Sequence, residues 1–384
     1  MIIYFIFFFV ALFFFLSKNK DFTINQFTIY FIVLCLFVAL ADQMGGYDRY
    51  VYGLGFDDAA DVTGAGKYDY TQSALGAYRS EYGYYLLNIL LSHITPNRYI
   101  FIFIVTVIIY SLLYASFKKY ISNYAVGTIV FLGLWFFFTW TYLREVIGVA
   151  IGFFAYQYIA KRDWRRFYLL VFVAFMFHHS AIVLAPAYFI PLKKFTKRQV
   201  WIAMAVAFLL GFSPIAGGIT SVLSSASDAD RAQGFAVEMG EAGFRWDYLL
   251  EATIFTYIIT SCYKDIREDK LSLAMLNMAF AFNIIIMFFA RSSSGGRLGW
   301  YYMMGIIATL TTIVAKERRK IASYIVLVLC FLLFFRILYK WGEMLYPYKT
   351  FLTPGHVCED IYQISEYDDN YDLNKFYRPA FWLR

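Results

Sequence analysis

The chain has 384 residues, of which 61% are hydrophobic, 22% aromatic and only 16% charged, with a formal net charge of +7. Soluble globular domains carry about 25% charged residues, so the composition excludes an ordinary soluble enzyme and predicts an all-α polytopic integral membrane protein. The surplus basic residues sit in short loops between apolar runs, where they act as topology signals, and no nucleic-acid partner is expected.

Apolar runs are predicted at 2–16, 25–42, 99–117, 122–140, 145–160, 165–178, 180–192, 199–214, 246–263, 272–290, 298–315 and 320–341, which gives about twelve transmembrane helices. The first run lacks a basic n-region and a small-residue cleavage site, so it is read as a retained span. A long segment at 42–98 follows the second run. It is rich in Asp, Gly and Tyr and carries Asp42, Tyr47, Asp48, Tyr50, Tyr52 and Glu81. Its short apolar stretch, 83–95, reaches only ~20 Å as a helix, against a hydrocarbon core of ~30 Å. Arg144 opens the fifth run in TWTYLREVIGVA. The sixth run, 165–178, rises ~21 Å, which places its last residue, His178, in a recess below the far surface. His178, His179 and Ser180 lie in MFHHSAIVLAP. A second long loop, 214–245, carries Ser, Gly and acidic residues, and Arg291 and Arg297 lie in RSSSGGRLGWYY before the eleventh run. The tail after Trp341 is acidic, with Asp360, Glu366, Asp368 and Asp369. Cys35, Cys262, Cys330 and Cys358 form no CxxC pair, so neither a disulfide framework nor a zinc site is implied.

Six loops are basic: Lys18/Lys20, Lys118/Lys119, Lys161–Arg166, Lys193–Arg198, Lys264–Lys270 and Lys316–Lys320. The positive-inside rule assigns them to the cytoplasm. If 83–95 does not cross, all six share one side; if it does, the first opposes the other five. The first arrangement is adopted, with both termini outside. It yields a multi-span membrane domain, 1–341, with extracytoplasmic loops at about 42–98 and 214–245, and an extracytoplasmic tail, 342–384.

In that topology Arg144, Ser180 and Arg297 each begin a span running from outside to inside. A helix N-terminus offers unpaired N–H groups and about +0.5 of an elementary charge. An arginine beside it adds a planar five-donor fork, so these sites and the backbone of Ser292–Gly296 suit a diphosphate at the outer face. Asp48, Glu81 and His178 are the candidate bases. Each residue has a plainer reading: Arg144 as an anchor that snorkels to the interface, the His pair as a polar turn, Arg291 and Arg297 as loop caps, Asp48 as a solvated loop residue. Their gathering on one side of a membrane protein favours a site. No HExxH, GxxxxGK[ST] or GxSxG motif occurs, and no cofactor or metal is expected.

Several segments, taken in order, resemble the EpsG family, which is related to the Wzy-type polymerases of bacterial surface polysaccharide: GGYDRYVYGLGF, EYGYYLLN, LREVIGVAIGFFAYQYIAKRDW, FHHSAIVLAP, RLGWYY and PYKTFL. The family pattern often reads Arg-Gln where this chain has Arg144-Glu145, which makes Glu145 a candidate partner for Arg144. The resemblance implies a GT-C-type membrane glycosyltransferase of the bacterial inner membrane, with its site facing the periplasm. Such an enzyme joins polyprenyl-diphosphate-linked oligosaccharide repeat units, donor to acceptor, for exopolysaccharide, capsule or O-antigen, alongside other polysaccharide-assembly proteins. Arg144, Arg291 and Arg297 would hold the diphosphate, and Asp48, Glu81 or His178 would activate the acceptor hydroxyl. Tyr47, Tyr50, Tyr52, Ser180 and Tyr301 would contact sugar or support the site. The alternatives are a flippase or transporter for a lipid-linked saccharide, and a glycan ligase. A transporter predicts ionisable residues deep within spans, whereas here Arg336 is the exception among spans almost free of charge.

Overall fold

The computed structural model describes residues 1–17, 19–42, 47–215, 218, 244–292, 295–316, 320–355 and 368–382. The side chain of Tyr47, Ser293 and Ser294, Asp360 and Glu366, Cys358, most of the predicted loop 214–245 and the middle of the Lys316–Lys320 loop lie outside that set. Among the described residues the chain is all-helical, with one isolated bridge between Ala41 and Thr350. The helices are α1 (Ile2–Leu16), α2 (Ile24–Ala39), α3 (Tyr47–Gly64), α4 (Tyr82–Ser92), α5 (Arg98–Tyr120), α6 (Tyr124–Leu134), α7 (Phe138–Thr141), α8 (Leu143–Phe153), α9 (Tyr156–Lys161), α10 (Trp164–Phe177) and α11 (Lys197–Gly211). They continue with α12 (Trp246–Ser261), α13 (Lys270–Phe288), α14 (Met303–Val314), α15 (Lys320–Lys340), α16 (Gly342–Leu345) and α17 (Asp369–Leu373), and 3-10 segments occupy Ala74–Tyr78, His179–Phe189 and Gly295–Tyr302.

Local chemistry sets many of the starts. Thr23 with Gln26, and Thr196 with Gln199, form capping boxes on α2 and α11, while Asp163 and Asp269 cap α10 and α13. Among the described residues four helices are long and apolar enough to cross a membrane: Arg98–Tyr120, Leu143–Lys161 (α8 running into α9), Lys270–Phe288 and Ile321–Lys340. Ile2–Leu16, Ile24–Ala39, Tyr124–Leu134 and His179–Phe189 are shorter apolar helices. On α2, Ile29, Ile32, Val33 and Leu36 are exposed at three- and four-residue spacing; on α15, Ile321, Tyr324, Ile325, Val328, Leu332 and Phe335 repeat the pattern. A soluble helix turns such a stripe inward. An outward stripe of this length is the side of a helix that meets lipid.

Four predicted runs are not single continuous α-helices; one of them, 145–160, divides into α8 and α9. Run 122–140 breaks between α6 and α7. Run 180–192 is a 3-10 segment containing Pro186, whose missing N–H and ring are incompatible with the interior of an α-helix. Run 298–315 begins as a 3-10 segment and becomes α-helical only at Met303. The first long loop is itself largely helical, as α3 and α4.

The chain divides into two compact units, one comprising Met1–Phe117, Tyr124–Ile147 and Leu327–Arg384, the other Lys118–Asn123 and Gly148–Val326. The first has an aromatic core, with stacked pairs Phe27/Tyr124, Phe56/Phe101 and Phe37/Tyr348 at ring separations of 4.4, 4.1 and 4.3 Å. Its C-terminal segment is clasped by buried polar groups. Arg98 donates from Nε to Asp57 at 2.7 Å and from Nη2 to Asp368 at 2.9 Å, and the Tyr371 hydroxyl donates to Asp57 at 3.1 Å. Burial pushes the Asp57 carboxyl up, with Arg98 opposing. Lys375 lies 3.1 Å from Asp42, Asn97 donates to the carbonyls of Lys375 and Arg378, and the Trp382 indole donates to Ser92 O at 2.6 Å.

In the second unit α13 packs against α9, α11, α12 and α14. The α13–α14 crossing is close: a Cβ on Gly305 would lie 2.4 Å from Met278 Cβ.

Candidate active site

The predicted site residues fall into two constellations, one in each unit. In the first unit, α3 carries Asp48, Arg49, Tyr50 and Tyr52. Glu81 is the residue before α4, and Arg144 is the second residue of α8. Arg144 Nη1 donates to Glu81 Oε2 in an ion pair whose side chains are 10% and 2% exposed. This partner lies 63 residues away in sequence and differs from Glu145, the one suggested by adjacency.

Three tyrosines surround the guanidinium. Its Cζ lies 4.5 Å from the Tyr78 ring centre and 6.0 Å from those of Tyr52 and Tyr84, within reach of cation–π attraction. The rings brace one another edge to face, Tyr52/Tyr84 at 5.7 Å and Tyr78/Tyr84 at 5.5 Å. Burial pushes the Tyr52 phenol up, against the pull of Arg144 and with the help of Asp48, one helical turn away. The Tyr52 phenol is therefore neutral at ordinary pH, and the three rings wall the guanidinium. Asp48 and Tyr50 are half-buried.

Arg49 is fully buried and donates to the carbonyls of Val38 at 3.1 Å, Ala41 at 3.3 Å and Trp140 at 3.4 Å. Desolvation pulls its guanidinium down to about 10. By satisfying carbonyls at the end of α2 and within α7 it fixes the start of α3, and with it Asp48 and Tyr52. Sequence reasoning missed Arg49, although it sits inside GGYDRYVYGLGF. It also missed Tyr78 and Tyr84 as the cage of Arg144. The local signal was the density of tyrosine around Glu81.

The second unit holds His178, Ser180, Tyr301, Arg291 and Arg297. His178 ends α10 and is half-buried; Ser180 and Tyr301 are buried. His178 Nδ1 lies 2.5 Å from Ser180 Oγ, which lies 3.0 Å from the Tyr301 hydroxyl. The neighbouring His179 is buried and packs on Phe175, with ring centres 4.7 Å apart. Tyr302 donates to Val183 O at 2.7 Å and ties the two 3-10 segments together. Arg297 lies in the first turn of Gly295–Tyr302 and is half-buried, and Arg291 lies just beyond α13 with its guanidinium 5.5 Å from the Phe212 ring. Within Ser292–Gly296, the Gly295 N–H is occupied by Ser292 Oγ at 2.8 Å. Arg245, a cation that sequence reasoning did not single out, approaches this segment: its backbone N–H donates to Ala290 O at 2.7 Å, and it pairs with Asp247 at 2.8 Å.

Chemically, the first constellation offers a guanidinium at a helix N-terminus with a carboxylate partner and aromatic walls. The second offers a polar chain ending on an imidazole. Among the described residues no cluster of three or more His, Cys, Asp or Glu is placed to hold a metal ion. Comparison with known families finds that the EpsG family model matches residues 24–350. No curated protein and no solved structure matches the chain.

Proposed function

The chain belongs to the EpsG family, and from that membership we propose that it is a polysaccharide polymerase. It joins oligosaccharide repeat units carried on polyprenyl diphosphate at the outer face of the bacterial cytoplasmic membrane, in the synthesis of exopolysaccharide, capsule or O-antigen. The membrane domain crosses about twelve times, the basic loops are cytoplasmic, and the segment 42–98 and the tail 342–384 are extracytoplasmic.

The observation that carries the reading is the Arg144–Glu81 pair in its tyrosine cage. The leaving group of the reaction is a lipid diphosphate, which needs a cation that can be offered on demand. At rest Glu81 neutralises Arg144, so the buried guanidinium is tolerated. An incoming diphosphate carries more charge than a carboxylate and takes the fork with two parallel hydrogen bonds, beside the N-terminus of α8. Tyr50, half-buried on α3, offers a face for a sugar ring. Asp48, one turn before Tyr52, is the base for the acceptor hydroxyl, and Glu81 holds Arg144 in place until the donor arrives. Arg291 and Arg297 contribute further positive charge to the lipid-linked substrates.

Bond by bond, an acceptor sugar hydroxyl attacks the anomeric carbon of the donor chain, its proton passes to Asp48, and the carbon–oxygen bond to the diphosphate breaks. The growing chain is then one unit longer on the acceptor's lipid, and polyprenyl diphosphate is released. The test is purified protein in lipid vesicles with a single lipid-linked repeat unit. A ladder of longer lipid-linked products is expected; a substrate that stays at one unit overturns the reading.

A further inference from the structure

His178, Ser180 and Tyr301 form a hydrogen-bonded row whose direction the geometry determines. The Ser180 backbone nitrogen lies 3.3 Å from His178 Nδ1, and the Ser180 hydroxyl lies 2.5 Å from the same atom. A backbone N–H can only donate, so Nδ1 accepts. A ring nitrogen that accepts is bare, and the neutral imidazole then carries its proton on Nε2. With no hydrogen on Nδ1, the Ser180 hydroxyl must donate to it. Its remaining lone pairs face the Tyr301 phenol at 3.0 Å, which donates in turn. The row runs Tyr301 to Ser180 to His178, from buried to half-buried.

The far end of the row is anchored. The Tyr301 carbonyl accepts from the Tyr156 hydroxyl, and both rings are fully buried. Gly148 keeps the site narrow: a Cβ there would lie 3.2 Å from the Tyr301 hydroxyl, 3.1 Å from Ala174 O and 3.6 Å from His178 Cβ.

We propose that Ser180 and Tyr301 are positioning residues that hold His178 in its Nε2–H form, making it a hydrogen-bond donor to an oxyanion instead of a general base. An imidazole acting as base through Nε2 would need its proton on Nδ1, where the Ser180 N–H stands. The oxyanion it serves, a phosphate oxygen of the lipid-linked substrate, rests on the polymerase reading; the tautomer does not.

The experiment is nitrogen NMR of protein labelled at histidine. The chain has four histidines, and a His178→Gln variant identifies the signal. At a pH where the ring is neutral, wild type is expected to show a protonated Nε2 and a bare Nδ1, with no second tautomer. In Ser180→Ala and Tyr301→Phe, an Nδ1–H population should appear, the ratio moving roughly tenfold for the hydroxyl of Ser180, the effect of one hydrogen bond. Gly148→Ala should move it in the same direction. Nδ1–H in wild type overturns the inference, and so does a tautomer ratio unchanged in both Ser180→Ala and Tyr301→Phe. Because the spectrum is recorded without substrate, a missing product ladder together with the expected tautomer would refute the polymerase reading and leave this inference standing.

Discussion

Arg144 and Glu81 form a buried ion pair, and breaking such a pair by removing one partner costs about 3–5 kcal/mol. Single substitutions to Ala therefore mix folding with function. Arg144→Lys avoids this: it keeps the charge beside Glu81 and loses the planar fork. It is expected to leave protein level unchanged and to reduce polymer by at least about tenfold, as read from polymer yield and accumulated lipid-linked substrate. A membrane anchor would predict wild-type activity instead, because lysine snorkels as well as arginine. The double variant Arg144→Gln/Glu81→Gln should recover thermal stability relative to Arg144→Gln alone without recovering polymer. Asp48→Asn belongs to the same set. Removal of a general base lowers rate by about 10²–10⁴-fold, and because Asn is nearly isosteric with Asp and Asp48 is only half-buried, its protein level should match wild type. Normal polymer from Asp48→Asn would take this carboxylate out of the mechanism.

α3 is the element that places Asp48 and Tyr52, and little in its own sequence favours a helix. Gly53, Gly55, Asp57, Asp58, Asp61 and Gly64 all have low helix propensity, which is why composition alone reads as a loop. Tertiary contacts override that preference: Phe56 stacks on Phe101, Arg98 holds Asp57, Arg49 reaches three carbonyls, and Tyr371 and Arg378 from the C-terminal segment bond Asp57. The C-terminal segment is thus a clasp on α3 and α5. Deleting 368–384 should lower the melting temperature and weaken activity together, with Asp57→Ala reproducing much of the loss at about 3–5 kcal/mol. Detergent-solubilised protein followed by thermal shift checks both; an unchanged midpoint in the truncated protein would mean the clasp is ornamental. The α13–α14 crossing offers a packing test within the second unit. Gly305→Ala forces a methyl against Met278 and should cost about 1–3 kcal/mol.

Across the molecule, what sequence could reveal follows from the range of the interactions involved. Runs such as 99–117 and 272–290 reappear as α5 and α13 because a long continuous apolar stretch and a capping residue are local facts. The 3-10 segment around Pro186 and the 3-10 start before Met303 are local too, but composition masks them, since the segments remain apolar throughout. The Arg144–Glu81 pair is a different matter: both residues were visible as charges of interest, but nothing at a separation of 63 residues announces that they touch. His178 and Ser180 are neighbours and Tyr301 a distant tyrosine among many, so the direction of their hydrogen bonds required the structure. Membrane orientation rests on the six basic loops. It is tested by single-cysteine labelling with an impermeant reagent in intact cells. Position 163 should be protected and position 360 labelled; labelling of 163 from outside would invert the arrangement and move the Arg144 cage to the wrong face.

The most direct measurement is a count of released polyprenyl diphosphate against repeat units joined, using purified protein and a single lipid-linked repeat unit. Polymerisation predicts one lipid diphosphate freed for every unit added, with both quantities falling together in Arg144→Lys. Movement of substrate across the vesicle membrane with no diphosphate freed would identify a transporter, and release without lengthening of a lipid-linked product would identify a ligase or hydrolase; either result would contradict polymerisation.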